Sequence, residues 1–189
     1  MLKNKKLVIC CDMDDTIEHL TQAWVDWLNN CYGTSVDYED IKHWDITRAF
    51  PTLTKDQIYE VLSTPEFWST VKPMEDAQEV LPRLISAGHT IYICTSTHYA
   101  IANEKFNRCL FKYFPFIDRH NIILTYNKQL IKCDILIDDG THNIIGDYIG
   151  LLMDAPYNRE FNEEDYPNIH RVHNWHQIET FISDIVGKS

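Results

Sequence analysis

The sequence predicts an α/β fold in which a parallel sheet carries helices on both faces and a small helical segment follows the first strand. Three observations lead to this prediction. From residue 76 onward, short apolar runs alternate with segments of helical period, which is typical of parallel strands joined by helices. The first apolar run, Leu7 to Cys11, is continuous, as in a strand buried on both faces. Between that run and residue 76 the patterns are helical or irregular.

The segment after the first strand begins with an amphipathic helix that ends before Gly33. Its apolar face consists of Ile17, Leu20, Trp24, Trp27, Leu28 and Cys31. Thr54 to Gln57 has the form of a capping box, which predicts a second short helix. The stretches 37–51 and 65–73 are predicted to be irregular.

The remaining elements alternate in a Rossmann-like order. Asp76 is the predicted N-cap of a helix through residue 87, with Pro82 as a kink. Strands are predicted at 89–94, 122–125, 133–137, 150–153 and 170–172, and helices at 100–113 and after Asn174. We therefore assign residues 1–17 and 76–189 to a core domain and 18–75 to a helical cap. One continuous α+β domain is the alternative.

The composition excludes several classes of partner. The net charge is −11, from 17 basic and 28 acidic residues, which argues against a nucleic-acid polymer or an anionic membrane. The apolar run before the acidic stretch at Asp12 has only five residues, too few for a signal peptide or a membrane span. A cytoplasmic protein is expected, and a homodimer remains possible.

Polar side chains follow four of the predicted strands. The groups are Asp12 and Asp14, Thr95 and Ser96, Thr125 with Lys128, and Asp138 with Asp139. Because the carboxyl ends of parallel strands share one edge, these residues should converge on one site. Carboxylates for a nucleophile, an acid and a hard cation, together with a lysine, suit phosphoryl transfer. Taken alone, the first acidic string could instead be a solvated turn or a calcium loop.

In this order the residues resemble the four motifs of phosphatases of the haloacid dehalogenase-like superfamily. The motifs are Asp12-Met-Asp14-Asp-Thr16, Thr95 after an apolar strand, Lys128, and Asp138-Asp139. The resemblance implies that Asp12 is the nucleophile and Asp14 the general acid and base. It also implies that Thr95, Ser96 and Lys128 hold the substrate phosphate.

The same resemblance implies a magnesium cofactor. Its ligands would be Asp12, the backbone carbonyl of Asp14, and one carboxylate of the last motif. Asp138 is the favoured ligand there, and Asp139 is the alternative.

Within the superfamily, the sequences around Thr95, Lys128 and Asp138 are most similar to the 5′(3′)-deoxyribonucleotidases, which dephosphorylate nucleoside monophosphates. That family surrounds the base with aromatic residues of the cap. Trp44, Phe67 and Trp68 lie in the corresponding segment and are the predicted base contacts, better placed than Trp24 and Trp27. The chain departs from the family at His98 and at residues 140–142.

Three other functions share features with this sequence. A receiver-type phosphoacceptor domain uses similar residues, but there the lysine comes last. A phosphatase of another small phosphometabolite fits the four motifs equally well. A non-catalytic binding protein would keep the fold and need not keep all the site residues.

Overall fold

A computed structural model describes residues 5–187 of the chain. Its six strands are β1 (Val8–Cys11), β2 (Thr90–Thr95), β3 (Ile122–Leu124), β4 (Ile135–Asp138), β5 (Ile149–Met153) and β6 (Ile169–Val172). They form one sheet in the order β3-β2-β1-β4-β5-β6, and every neighbouring pair is parallel. The predicted strands and the α/β class are confirmed. The direction of winding reverses between β1 and β4, where a crevice opens at the carboxyl ends of the strands.

The α-helices are α1 (Leu20–Tyr32), α2 (Lys55–Glu60), α3 (Pro65–Trp68), α4 (Ala77–Ser86), α5 (Tyr99–Lys105), α6 (Phe111–Tyr113) and α7 (Trp175–Gly187). A π-helical turn (Phe106–Leu110) joins α5 to α6, so the predicted helix 100–113 is one interrupted element. Short 3₁₀ turns lie at Tyr38–Asp40, Ile46–Ala49, Val61–Ser63, Arg119–Asn121, Lys128–Leu130, Pro156–Asn158 and Glu163–Asp165. No helix within residues 5–187 is long and apolar enough to cross a membrane.

Local signals behave as predicted at two helix ends and differ at a third. Gly33 ends α1 with a left-handed φ of 67°, and its N–H donates to the carbonyl of Asn29. Thr54 and Gln57 form the capping box of α2. Asp76 precedes α4, but its φ is 62° and its side chain makes no capping hydrogen bond. Its carboxylate lies 3.2 Å from His176 instead.

The two faces of the sheet are covered differently. The larger apolar cluster contains side chains of α1, α4 and α7, among them Leu28, Val80 and Ile178. The smaller cluster includes the side chains of Cys10 and Leu136, and no α-helical residue within 5–187 belongs to it. The connections after β3, β4 and β5 contain loops and 3₁₀ turns only, so the cover on this face is thinner.

Residues 18–75, hereafter the insertion, leave and rejoin the core at one place. The N–H of His19 donates to the carbonyl of Lys72 at 2.9 Å, and the N–H of Met74 donates to the carbonyl of Ile17 at 2.8 Å. These bonds pair the incoming and outgoing segments antiparallel, close to the predicted cap boundaries. Inside the insertion, Trp24 and Phe67 belong to the same apolar cluster as the sheet.

Candidate active site

The predicted strand-end residues meet beyond the central strands. Cys11 is in register with Ile137, and the N–H of Asp12 continues the ladder to the carbonyl of Ile137 at 2.8 Å. Asp12 therefore lies beside Asp138, the last residue of β4. Asp12 is 4% exposed, and Asp138 and Thr95 are fully buried. Adjacent parallel strands thus bring together residues that are more than a hundred positions apart.

Lys128 links the first and last motifs. Its Nζ lies 2.7 Å from Asp12 Oδ1 and 2.6 Å from Asp138 Oδ2, and the residue is 2% exposed. Burial alone would lower the pKa of Lys128, but the two carboxylates outweigh it and raise the pKa above its usual range. Burial raises the pKa of Asp12 to about 7, against the opposing effect of Lys128. The two carboxylates therefore keep the ammonium group of Lys128 protonated.

A second buried lysine, Lys105 of α5, was not predicted. Its Nζ lies 2.6 Å from Asp14 Oδ2 and donates to Thr95 Oγ1 at 3.0 Å. It also lies 5.6 Å from the centre of the Trp68 ring. Lys105 therefore links Asp14 of the first motif to Thr95 of the second, and Lys128 links the first motif to the last. Ser96, the next residue along, is exposed and lines the cavity described below.

The two carboxylates of the last motif have different partners. Both oxygens of Asp138 are engaged: Oδ2 by Lys128, and Oδ1 by the N–H of Gly140 at 2.7 Å and by Asn143 Nδ2 at 3.2 Å. Asp139 Oδ2 accepts a hydrogen bond from the hydroxyl of Tyr157 at 2.6 Å. Asp139 Oδ1 is buried and has no hydrogen-bond partner within the described part of the chain.

Asp12, Asp138 and Asp139, hereafter the acidic cluster, form a candidate metal site. One carboxylate oxygen from each lies within 4.8 Å of the others. Burial raises the pKa of Asp139 well above its usual range, and the charges of Asp138 and Asp12 add to this effect. Packing like charges this closely costs free energy that a divalent cation offsets. An oxygen-only donor set with an unpaired buried oxygen suits Mg²⁺.

A cavity of about 450 Å³ opens over the acidic cluster. One side, the sheet-edge wall, is built from the strand-end residues and includes Asp12, Asp14, Lys105 and Lys128. The opposite side, the aromatic wall, comes from the insertion and consists of Leu20, Trp24, Ile41, Trp44, Ile46, Tyr59, Leu62 and Trp68. The cavity volume falls in the range that small-molecule sites occupy.

The three aromatic residues predicted as base contacts lie in different positions relative to the cavity. Trp44 and Trp68 both line the cavity, and Trp44 is 56% exposed whereas Trp68 is 2% exposed. Phe67 does not reach the cavity: it is fully buried, and its ring packs against those of Trp27 and Trp68. The cause is α3, a single helical turn that directs Phe67 into the core where an irregular loop was predicted.

Trp24, which the sequence ranks below Trp44, Phe67 and Trp68 as a cavity residue, also lines the cavity. Its helix α1 packs against the sheet but also borders the opening, and the Trp24 ring lies at that border. The Nε1–H groups of Trp24 and Trp68 donate to the carbonyls of Ile58 and Leu62, at 2.8 and 2.9 Å. These two indoles therefore present apolar surface to the cavity.

Comparison with known proteins identifies the family. Residues 6–189 match the family model described as 5′ nucleotidase, deoxy (pyrimidine), cytosolic type C protein. The chain is 33% identical to a 5′(3′)-deoxyribonucleotidase of Bacillus subtilis, over 92% of this chain and 97% of the relative. The chain belongs to the cytosolic type C deoxyribonucleotidase family. It is thus a phosphoric monoester hydrolase.

A further relative and two solved structures agree with this family. A 5′(3′)-deoxyribonucleotidase of Clostridium acetobutylicum is 36% identical over 80% of this chain and 83% of its own. A haloacid dehalogenase family hydrolase from Deinococcus radiodurans, solved with bound phosphate and sodium, has a TM-score of 0.60 at 14% identity, over 94% of this chain and 95% of that one. A hydrolase from Pseudomonas syringae has a TM-score of 0.55 at 12% identity, over 95% and 99%. At such low identity the structures support the fold alone, and the resemblance seen in the motifs is confirmed by the family match.

Proposed function

We propose that this deoxyribonucleotidase family member hydrolyses deoxyribonucleoside monophosphates through an aspartyl-phosphate on Asp12, with Mg²⁺ as cofactor. One observation carries the proposal: Asp12 lies 2.7 Å from the buried ammonium group of Lys128, and the pair formed by Asp14 and Lys105 lines the same cavity. A nucleophile, an acid and two cations at one sheet edge are the groups that cleavage of a phosphate monoester requires.

Counting donors indicates how the phosphate is held. An ammonium group has three N–H donors. Lys128 donates one to Asp138 Oδ2, while its contact with Asp12 at 2.7 Å is an ion pair without hydrogen-bond geometry. Lys105 uses two on Asp14 and Thr95. Each lysine thus retains at least one donor for a phosphate oxygen. The hydroxyl of Ser96, exposed at the same edge, supplies a further donor.

The reaction then proceeds in two displacements. The Asp12 carboxylate attacks phosphorus as the bond from phosphorus to the nucleoside oxygen breaks, and Asp14 gives its proton to that oxygen. Asp14 Oδ1 has no hydrogen-bond partner in the described chain, so it is available for this transfer. Water next attacks the phosphorus of the aspartyl-phosphate and gives its proton to Asp14. The Asp12 carboxylate is released together with inorganic phosphate.

The acidic cluster would hold the cation, and we assign the direct ligand of the last motif to Asp139, although the sequence favours Asp138. Both oxygens of Asp138 already accept hydrogen bonds, whereas Asp139 Oδ1 has no partner in the part of the chain that the structure describes. Asp12 and the backbone carbonyl of Asp14 complete the ligands from the protein. When bound, Mg²⁺ neutralises negative charge on the phosphate oxygens and the surrounding carboxylates.

We assign the choice of leaving group to the insertion, as a cap over residues 18–75. In this proposal the sheet-edge wall binds the phosphate, and the aromatic wall lines the part of the cavity left for the leaving group. Stacking of a base on an aromatic ring contributes about 1–3 kcal/mol. The exposed ring of Trp44 and the cavity-facing ring of Trp68 are the proposed contacts.

Phosphate release from a panel of nucleoside monophosphates tests this function. We expect turnover of 5′- and 3′-deoxyribonucleotides that stops on chelation and returns with Mg²⁺. A panel of sugar and other small phosphate esters serves as comparison. Faster turnover of those esters than of any nucleotide would replace the substrate assignment, and the absence of phosphate release from both panels would favour a binding protein. Asp139→Asn should raise the Mg²⁺ requirement more than Asp138→Asn, and the opposite order would restore Asp138 as the ligand.

A further inference from the structure

Tyr157 lies where the acidic cluster meets the aromatic wall. It belongs to the 3₁₀ turn Pro156–Asn158 that follows β5, and its ring lines the cavity. Neither the four motifs nor the apolar pattern of the sequence singles it out. Three of its contacts connect the acidic cluster to the aromatic wall.

Two of these contacts are made by its hydroxyl. The phenolic oxygen lies 2.6 Å from Asp139 Oδ2 and 3.0 Å from Asp15 Oδ2. Asp15 is itself fixed, because its Oδ1 accepts from the N–H of Thr21 at 3.0 Å. Asn158 fixes the backbone on the other side by donating to the carbonyl of Asp139 at 2.9 Å. With Oδ2 occupied by Tyr157, the Asp139 carboxylate leaves Oδ1 in the acidic cluster without a hydrogen-bond partner among residues 5–187.

The third contact is made by its ring. The Trp44 ring of the insertion meets the Tyr157 ring edge to face, with centroids 5.6 Å apart. Trp44 also contacts His142, at a centroid distance of 4.8 Å. Tyr157 therefore contacts a carboxylate of the acidic cluster through its hydroxyl and a cavity-lining ring of the insertion through its own ring.

We propose that Tyr157 is a positioning residue that orients Asp139 for the cation through its hydroxyl and supports Trp44 against the leaving group through its ring. The inference rests on the proposed function, since it assumes that the acidic cluster binds a divalent cation. Groups that orient a metal ligand typically change metal affinity by about 10–100-fold when they are removed. Loss of the hydroxyl and loss of the ring should therefore have separable effects.

Binding of Mg²⁺ to the free protein, measured by isothermal titration calorimetry, tests the hydroxyl. We expect Tyr157→Phe to weaken Mg²⁺ binding by about tenfold. At saturating Mg²⁺ its KM for a nucleotide should change less than twofold, because the ring remains. Tyr157→Leu removes both contacts and should weaken Mg²⁺ binding equally while also raising KM. Tyr99→Phe is the matched control, because Tyr99 is 82% exposed and does not line the cavity.

Melting temperatures in the presence of a chelator separate positioning from stability. Equal Mg²⁺ affinity in Tyr157→Phe and the parent would overturn the inference, whether or not the variant melts earlier. A KM unchanged in Tyr157→Leu would overturn the part that concerns Trp44. Failure of the proposed function has a different signature, since the parent itself would then not bind Mg²⁺ or not release phosphate.

Discussion

The two walls of the cavity differ in chemistry and in how they are fixed. On the sheet-edge wall, the charged groups are fixed by ion pairs: Lys128 pairs with Asp12 and Asp138, and Lys105 pairs with Asp14. On the aromatic wall, the indoles of Trp24 and Trp68 are fixed by hydrogen bonds to backbone carbonyls and offer apolar surface. Under the proposed function, bond cleavage depends on the first wall and substrate choice on the second. Substitutions in the two walls should therefore have different kinetic signatures.

The largest effect is expected at the nucleophile on the sheet-edge wall. Asp12→Asn keeps the shape of the side chain but removes the attacking carboxylate, so turnover should fall by more than about a thousandfold for every substrate. Phosphate release should be measured together with circular dichroism, which should match that of the parent. Residual activity within tenfold of the parent would contradict the covalent mechanism.

The next largest effect is expected for Lys105→Gln. The substitution removes the cation 2.6 Å from Asp14. Lys128 then remains as the buried ammonium group of this wall that can bind the phosphate. Removal of one preorganised electrostatic contact typically costs about 10²–10³-fold in kcat, so we expect about a hundredfold loss on nucleotides and simple esters alike. Lys112→Gln, an exposed lysine of α6, is the matched control. A loss confined to nucleotides would place Lys105 in substrate selection instead.

On the aromatic wall, Trp44→Ala should affect substrates unequally. Because Trp44 is 56% exposed, its loss should scarcely change the melting temperature. If it stacks on a base, kcat/KM for a nucleotide should fall about tenfold, which corresponds to about 1.4 kcal/mol. A small phosphate ester should lose less than twofold. Parallel losses on both substrates would show that the two walls do not act independently.

The smallest functional effect is expected for Phe67→Leu. Phe67 is fully buried behind the aromatic wall, so the change should reduce stability by about 1 kcal/mol and the melting temperature by about 2–4 °C. Activity on nucleotides should stay within twofold of the parent at a temperature where both proteins are folded. A fivefold fall in kcat/KM there would return Phe67 to the substrate contacts.

The sequence predicts the sheet-edge wall better than the aromatic wall, for a physical reason. Asp12, Thr95 and Asp138 each end an apolar strand, so alternation of elements and parallel topology suffice to bring them together. Lys105 escaped prediction because it is a single lysine within a helix, and only the fold places it between Asp14 and Thr95. What distinguishes Lys105 is its full burial, and burial depends on the fold and cannot be read from the sequence.

The aromatic wall depends on details of the insertion that leave weak local patterns. Phe67 and Trp68 are adjacent in sequence, yet the single turn of α3 buries the first and turns a face of the second to the cavity. Tyr157 follows a strand by four residues and meets its partners only through tertiary contacts. Aromatic content thus identifies the region that lines the cavity, but it does not separate the residues of the wall from those of the core.

The antiparallel pairing of Ile17 and His19 with Met74 and Lys72 has an evolutionary consequence. Because the insertion enters and leaves through adjacent backbone positions, a longer, shorter or unrelated segment can occupy the same junction without changing the register of any strand. Variation in the length or sequence of the insertion is therefore compatible with an unchanged arrangement of the residues at the strand ends.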